Sequence, residues 1–217
     1  MGKCNQGVFG NWTKRVGNVV GRVVNGRNIY SIYQPNVSNP QTETQKQTRT
    51  KFSLLTKLGS VIGGFLAIGL MKNKGDGTWL SRFISINFKN GVTGTWPSYE
   101  LNFPKLILSQ GNVDLPYNTA AQLQGSDVNI TWTDNSGIGN AKDSDKAMFL
   151  IYNKDKNASI ADDGAADRST RQVSYSLPAS WNGDTVYVYF AMKRVDRGEA
   201  ERTVSASMFL GQFTVGA

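Results

Sequence analysis

DTVYVYFAMK, Asp184 to Lys193, is the stretch whose reading decides the fold. It reads as a long strand carrying Tyr187 and Tyr189, because β-branched and aromatic side chains suit a pleated, buried surface. Working outward, Ala147 to Tyr152 (AMFLIY) is a second apolar run of strand length. Val128-Asn129-Ile130-Thr131-Trp132 alternates apolar with polar residues, as does Tyr99-Glu100-Leu101-Asn102-Phe103. Gln172 to Leu177 and Thr203 to Val215 complete the set, with turn residues between the runs. The spacing predicts an antiparallel β-sandwich over residues 99–217, with Trp132 on the second core strand and Tyr152 ending the third. No cysteine pair exists to bridge it, so the pattern points to a disulfide-free immunoglobulin or fibronectin type III-like variant.

Residues 1–98 read differently. Residues 1–113 carry a net charge of +11, with Glu43, Asp76 and Glu100 as their acids, whereas residues 114–217 carry −3. Segregation of this kind suits a subunit that presents one face to a polyanion or an acidic neighbour. Asn25-Gly26 accepts the positive φ angles of a type I′ turn and lies between Val19 to Val24 and Arg27 to Tyr33, which predicts a β-hairpin. Beyond the turn-rich bridge Pro35 to Pro40, Asn39 with Pro40 offers one helix start and Thr42-Glu43-Thr44-Gln45 a second. Phe52, Leu55, Leu58 and Ile62 then recur at helical spacing. Trp79, Phe83 and Ile86 do the same beyond the glycine-bearing link Asn73 to Gly77, and helix is preferred there over strand. The fold class expected is therefore α+β: an N-terminal β-hairpin plus helices over 1–98, followed by the sandwich over 99–217.

Leu58 to Met71 is the most hydrophobic run in the chain. As a helix it would extend about 21 Å, short of a hydrocarbon core of about 30 Å. Its glycines Gly59, Gly63, Gly64 and Gly69 weaken a lone helix and permit close packing. A buried or interfacial helix is the preferred reading, ahead of a protein insertion surface and of membrane contact.

The 217 residues include no histidine and one cysteine, Cys4. That removes the commonest general base, the usual partner of a nucleophilic serine or cysteine, and the usual zinc-binding set. Asp134-Asn135-Ser136-Gly137 with Asp143-Ser144-Asp145 resembles a calcium loop but lacks the glycine and glutamate of that template. Asp162-Asp163-Gly164-Ala165-Ala166-Asp167 reads as a solvated acidic loop, with nothing to fix a catalytic carboxylate pair. Gly137-Ile138-Gly139 lacks the spacing of a phosphate-binding loop. No catalytic residue, metal or cofactor is expected. The polar start Met1 to Gly10 does not read as a signal peptide, and Gln6 stands where myristoylation expects serine or threonine, so synthesis in the cytoplasm is expected.

Several segments together resemble a known family. They are Gly7-Val8-Phe9-Gly10 with Val16-Gly17-Asn18-Val19-Val20-Gly21, then Ser38-Asn39-Pro40-Gln41-Thr42 with Gln45, Arg49, Lys51 and Phe52. Leu108-Ser109-Gln110-Gly111, Thr131-Trp132-Thr133-Asp134, Asp145-Lys146-Ala147 and Trp181-Asn182-Gly183-Asp184 follow, and Val204 to Gly211 closes the set. The chain resembles the Bacteroidetes family of unknown function numbered 6266. The resemblance implies a source and a setting, bacteria rich in phages and mobile elements, and carries over no catalytic residue.

The function expected is a non-enzymatic assembly protein, most concretely a phage virion component of head or tail. A partner or polyanion would meet Lys14, Arg15, Arg22, Arg27, Lys46, Arg49 and Lys51. The assembly interface expected comprises Trp12, Tyr30, Tyr33, Phe52, Leu55, Ile62 and Phe65. Partners would be other structural proteins or copies of itself. Two alternatives stand beside this: association with nucleic acid through the same cations, without sequence specificity, and a carbohydrate or cell-surface adhesin using the sandwich.

Overall fold

A computed structural model describes residues 3–4, 12–24, 26–36, 38–70, 77–195 and 204–216. Among residues used above, Met1, Gln6 to Gly10, Asn25, Met71, Asn73 to Asp76 and Thr203 lie outside the described residues. The chain divides into two compact units, Met1–Glu43 and Thr44–Ala217. This differs from the 98/99 boundary expected from the residues. The helices share a core with the second half of the chain, because sheet side chains fill their apolar faces.

The first unit is an antiparallel sheet of β1 (Lys3–Cys4), β2 (Trp12–Val16), β3 (Val19–Val24) and β4 (Arg27–Ile32), paired in chain order. The predicted hairpin is present, with register from Val24↔Arg27 to Val19↔Ile32. Gly26 sits at φ +75, the conformation its tight turn demands.

At the unit boundary α1 (Glu43–Val61) begins, followed by α2 (Gly63–Gly69) and α3 (Trp79–Asn87). The start of α1 agrees with the second of the two predicted registers. The hydrophobic run is not one helix: α1 and α2 meet at Ile62 with a bend of 92°. Gly63 and Gly64 give the chain little helical preference at that point. No single described helix is long and apolar enough to cross a membrane; the bent pair meets that test jointly, yet its Leu55, Leu58, Ile62, Phe65, Leu66 and Leu70 lie in the core. Gly69 shows why a small residue is needed there, since a Cβ would fall 2.6 Å from the Leu108 carbonyl oxygen. The Gly69 carbonyl in turn accepts the Gln110 N–H at 3.0 Å. The helix preferred at Trp79 is α3, where the Thr78 side chain accepts the Ser81 N–H at 3.2 Å and Phe83 and Ile84 turn inward.

The remaining strands are β5 (Val92–Thr95), β6 (Ser98–Leu101), β7 (Tyr117–Gln124), β8 (Asp127–Thr133), β9 (Lys146–Asn153), β10 (Ala158–Asp167), β11 (Gln172–Ser176), β12 (Thr185–Lys193) and β13 (Met208–Thr214). β5 and β6 form a hairpin, and two antiparallel sheets run in the orders β11-β8-β7 and β10-β9-β12-β13. Each predicted strand from Tyr99 onward overlaps one of these, with two corrections: the Tyr99 run is β6, which ends at Leu101 and pairs with β5 instead of joining the two larger sheets, and the last predicted strand is shortened to β13. The acidic segment from Asp162 to Asp167 is a correction: it belongs to β10 and carries a register shift between Asp162 and Ala166.

The central pair, β9 and β12, is buried on both sides. On one face the pairs Val188↔Ile151, Phe190↔Phe149 and Met192↔Ala147 join Val128, Ile130 and Trp132 of β8 in one apolar core. On the other, Tyr187↔Tyr152, Tyr189↔Leu150 and Ala191↔Met148 join the helices in a second core. A sheet covered on both faces calls for strands that are apolar throughout, and this is what the two continuous runs encode.

One buried polar cluster fixes the loops at the edge of this arrangement. Asp145 and Arg168 are fully buried and paired at 3.0 Å, and Arg194 reaches the other Asp145 oxygen at 3.1 Å. Arg168 also donates to Asn135 Oδ1 at 2.6 Å, the Asp114 carbonyl at 2.7 Å and the Lys142 carbonyl at 3.1 Å. Its own carbonyl accepts the Trp132 indole N–H at 2.8 Å, which ties the cluster to the core.

Removing one partner of a buried ion pair strands the other without solvation. Asp145→Ala should therefore lower unfolding free energy by about 3–5 kcal/mol. Loss of the exposed Lys146–Asp167 pair through Asp167→Ala should cost under about 1 kcal/mol. Urea denaturation of both variants checks the contrast.

Burial, with Tyr187 beside it, pushes the Tyr189 phenol far above its usual range; its hydroxyl donates to the Phe103 carbonyl at 2.7 Å. Tyr152 shifts the same way, chiefly through burial. The folded state thus holds protons that the unfolded chain releases above about pH 10. The stabilisation is complete below that pH and is lost as pH rises toward the folded values. Stability should fall above about pH 10 by about 1.4 kcal/mol per pH unit for each proton concerned. Tyr189→Phe should make that slope shallower by one proton, as read from urea midpoints across the alkaline range.

Candidate functional site

Directly opposed residues of an antiparallel sheet share a face, so register divides the first unit's side chains. Val16↔Val19↔Ile32, Lys14↔Gly21↔Tyr30 and Val23↔Asn28 define one face. Arg15↔Val20↔Ser31, Arg22↔Ile29 and Val24↔Arg27 define the other. The first face is largely apolar and the second carries three arginines.

Neither face is closed over. Gly21 is the one buried residue among the described residues of this unit, while Val16, Val23, Tyr30 and Ile32 are exposed, Ile32 to 79%. Trp12 packs on Tyr30 at 4.4 Å between ring centroids with the planes tilted by 36°, and its indole N–H is buried with no hydrogen-bond partner among the described residues. Gly21 makes this approach possible, since a Cβ there would lie 2.2 Å from the Trp12 carbonyl oxygen. On the basic face the Arg15 guanidinium lies 3.6 Å from the Tyr33 ring centroid while its Nε–H donates to the Gly17 carbonyl at 2.9 Å. That arginine is held in place, and Arg22 and Arg27 are solvent-exposed.

The other predicted cations lie on α1 in the second unit. Lys46 and Arg49 are exposed, and the Lys51 ammonium sits 4.7 Å from the Tyr99 ring centroid. Phe52 is half-exposed on the same helix. Leu55, Ile62 and Phe65 are corrections to the predicted interface. All three are buried in the core that α1 and α2 form with β9 and β12, so no partner reaches them.

The acidic stretches have structural roles. Asp134 accepts the Ser136 hydroxyl and N–H, bonds that hold its carboxyl below the usual range. Asp163 pairs with Lys193 at 2.5 Å and Asp167 with Lys146 at 2.6 Å. Among the described residues no cluster of three or more His, Cys, Asp or Glu is placed to hold a metal ion.

A cavity of about 340 Å³ opens among α1, β6 and the ends of β9 and β12, bordered by Leu54, Lys57, Glu100, Phe103 and Lys154. Nothing in the sequence pattern announces it. Its lining comes from four separate segments, which no local spacing connects.

Among the described residues these elements define a mixed α+β protein of antiparallel sheets and three α-helices, with a basic and apolar sheet preceding them. The chain matches the model of a family of unknown function (DUF6266) over residues 10–211, and it belongs to that family. No curated protein matches it.

Because a side chain at position 21 collides with β2, Gly21→Ala should detach that strand. Hydrogen exchange of residues 12–16 should quicken by about tenfold or more, with exchange in β9 and β12 unchanged.

Proposed function

We propose that this protein is a non-enzymatic structural component that attaches through its Met1–Glu43 sheet and displays the Thr44–Ala217 unit. The observation that carries this reading is the sheet itself: exposed Val16, Val23, Tyr30 and Ile32 on one face, and Arg15, Arg22 and Arg27 on the other. A single layer with uncovered apolar side chains gains its hydrophobic stabilisation by being covered. The arginine face adds complementarity to an acidic surface. Another structural protein or a further copy of this chain is the partner proposed.

In this reading the displayed unit is built on an immunoglobulin-like sandwich. Its seven strands from β7 onward place the first, second and fifth in one sheet and the third, fourth, sixth and seventh in the other. The fourth strand, β10, lies beside β9 rather than beside β11, unlike the constant-type immunoglobulin layout; this supports the fibronectin type III-like variant. The setting proposed is a phage particle, head or tail, from a Bacteroidetes host, with the protein synthesised in the cytoplasm and carried in the virion. That step is architectural analogy.

A second reading takes the same sheet to bind nucleic acid without sequence specificity. It is favoured by the Arg15–Tyr33 stack beside the exposed Arg22 and Arg27, a combination suited to phosphates and bases.

Mass photometry or sedimentation of the full chain separates the two. For assembly, the native mass should exceed the monomer, and the pair Val23→Asp with Ile32→Asp should return it to monomer with the second unit's unfolding unchanged. A monomeric parent chain counts against assembly. For nucleic acid, Arg22→Glu with Arg27→Glu should abolish salt-sensitive DNA retention, the slope of log affinity against log salt falling by about one for each phosphate no longer neutralised.

A further inference from the structure

We propose that the cavity bordered by α1, β6 and the ends of β9 and β12 is a binding site for a small organic anion with a flat apolar body, of the aromatic monocarboxylate class. The inference rests on the second unit alone and is independent of the attachment role proposed for the first.

The floor of the cavity is aromatic. Phe103 stacks on Tyr187 at 3.7 Å with 16° between planes, and Tyr152, the cross-strand neighbour of Tyr187, lies 5.8 Å from Phe103. Leu54 and Leu58 of α1 supply an aliphatic wall. The ring positions are fixed from behind: Phe103, Tyr152 and Tyr187 belong to the core, and the Tyr152 hydroxyl donates to Asn157 Oδ1 at 2.9 Å. A preformed aromatic surface favours a planar ligand in offset-stacked geometry. Its volume of about 340 Å³ is at the small end of ligand pockets.

The charges at the mouth choose the polar end. Lys57 comes from α1, Lys154 follows β9, and Glu100 lies on β6. Most other lysines of this region have a partner: Lys146 pairs with Asp167, Lys156 with Asp184 and Lys193 with Asp163, and Lys51 rests on Tyr99. Among the described residues the ammonium groups of Lys57 and Lys154 make no ion pair, and neither does the Glu100 carboxylate. Two cations and one carboxylate leave the rim with a net charge of +1. A monoanion brings that rim to neutrality, whereas a dianion such as a phosphate monoester would leave it with an uncompensated negative charge.

The test is titration of the full-length protein with 2-naphthoate at low ionic strength, followed by calorimetry and by tyrosine and backbone NMR shifts. Naphthalene-2-methanol serves as the neutral control. Saturable one-site binding is expected, with shifts confined to the residues around Phe103, Tyr152 and Tyr187. The pair Lys57→Gln with Lys154→Gln should weaken it about tenfold, the yield of two half-exposed ion contacts. Glu100→Gln should tighten it by about two- to fivefold. Lys89→Gln, the same charge change at an exposed position beyond α3 and outside the cavity lining, should leave it unchanged. No saturable binding at millimolar naphthoate overturns the proposal. So do equal binding of the neutral alcohol, equal weakening by Lys89→Gln, or shifts centred outside the cavity. These surface variants do not touch the core, and none of the outcomes bears on whether the first unit mediates assembly.

Discussion

The burial of β9 and β12 on both faces is the constraint from which the rest of the second unit follows. Each strand sends alternate side chains into two different cores, one shared with β8 and one shared with the helices. Fully burying a side chain such as Phe190 or Tyr189 contributes about 1.5–3 kcal/mol, and most positions of both strands are buried in this way. A one-residue slip between them would exchange the two sets, placing tyrosines against Trp132 and valines against α1. The sheet's register, the placement of the helices and the orientation of the smaller sheet are therefore a single choice.

Polar chemistry closes what apolar packing leaves open. The loops after β8 and before β9 carry acidic, amide and glycine residues that have no apolar reason to sit against the sheet. Arg168 supplies the reason by joining Asp114, Asn135, Lys142 and Asp145 through one guanidinium. Taking that charge out of water is costly, and the arrangement holds because the donors of the group are met by acceptors and Asp145 answers its charge. The pair Arg194–Asp145 extends the same clamp from the end of β12. The segment that resembles a calcium loop is organised by an internal cation supplied from the chain itself.

Much of this is legible in the residues, and what is not has a physical cause. Val128 to Trp132 alternates and has one buried face; Ala147 to Tyr152 and Val186 to Met192 do not alternate and have two. That difference already encodes a third layer. Treating the helices as a separate docking region overlooks it, and so misplaces Leu55, Ile62 and Phe65. β10 resembles a loop because ASIADDGAAD has low strand propensity; it survives as an edge strand through its pairing with β9 and the ion pairs of Asp163 and Asp167. Arg168 finds Asp145 and Asn135 across 23 and 33 positions, separations that no helical or strand period links. The cavity beside α1 is invisible for the same reason, being assembled from segments remote in sequence.

The first unit presents the opposite energetic situation, and this is why its hairpin is readable while the state of its faces is not. The hairpin follows from Gly26 and two β-branched runs, yet a strand pattern cannot say whether an apolar face is covered. Among its described residues only Gly21 is buried, so the stabilisation of this sheet comes from backbone pairing and from local contacts such as Trp12 on Tyr30. The second unit, with two filled cores, meets its own needs. A chain that places three arginines and uncovered valine, isoleucine and tyrosine on one small sheet has put there the surface whose energy depends most on another molecule. The proposed attachment role follows from that asymmetry between the units, whether the molecule that covers the sheet is a protein or a polyanion.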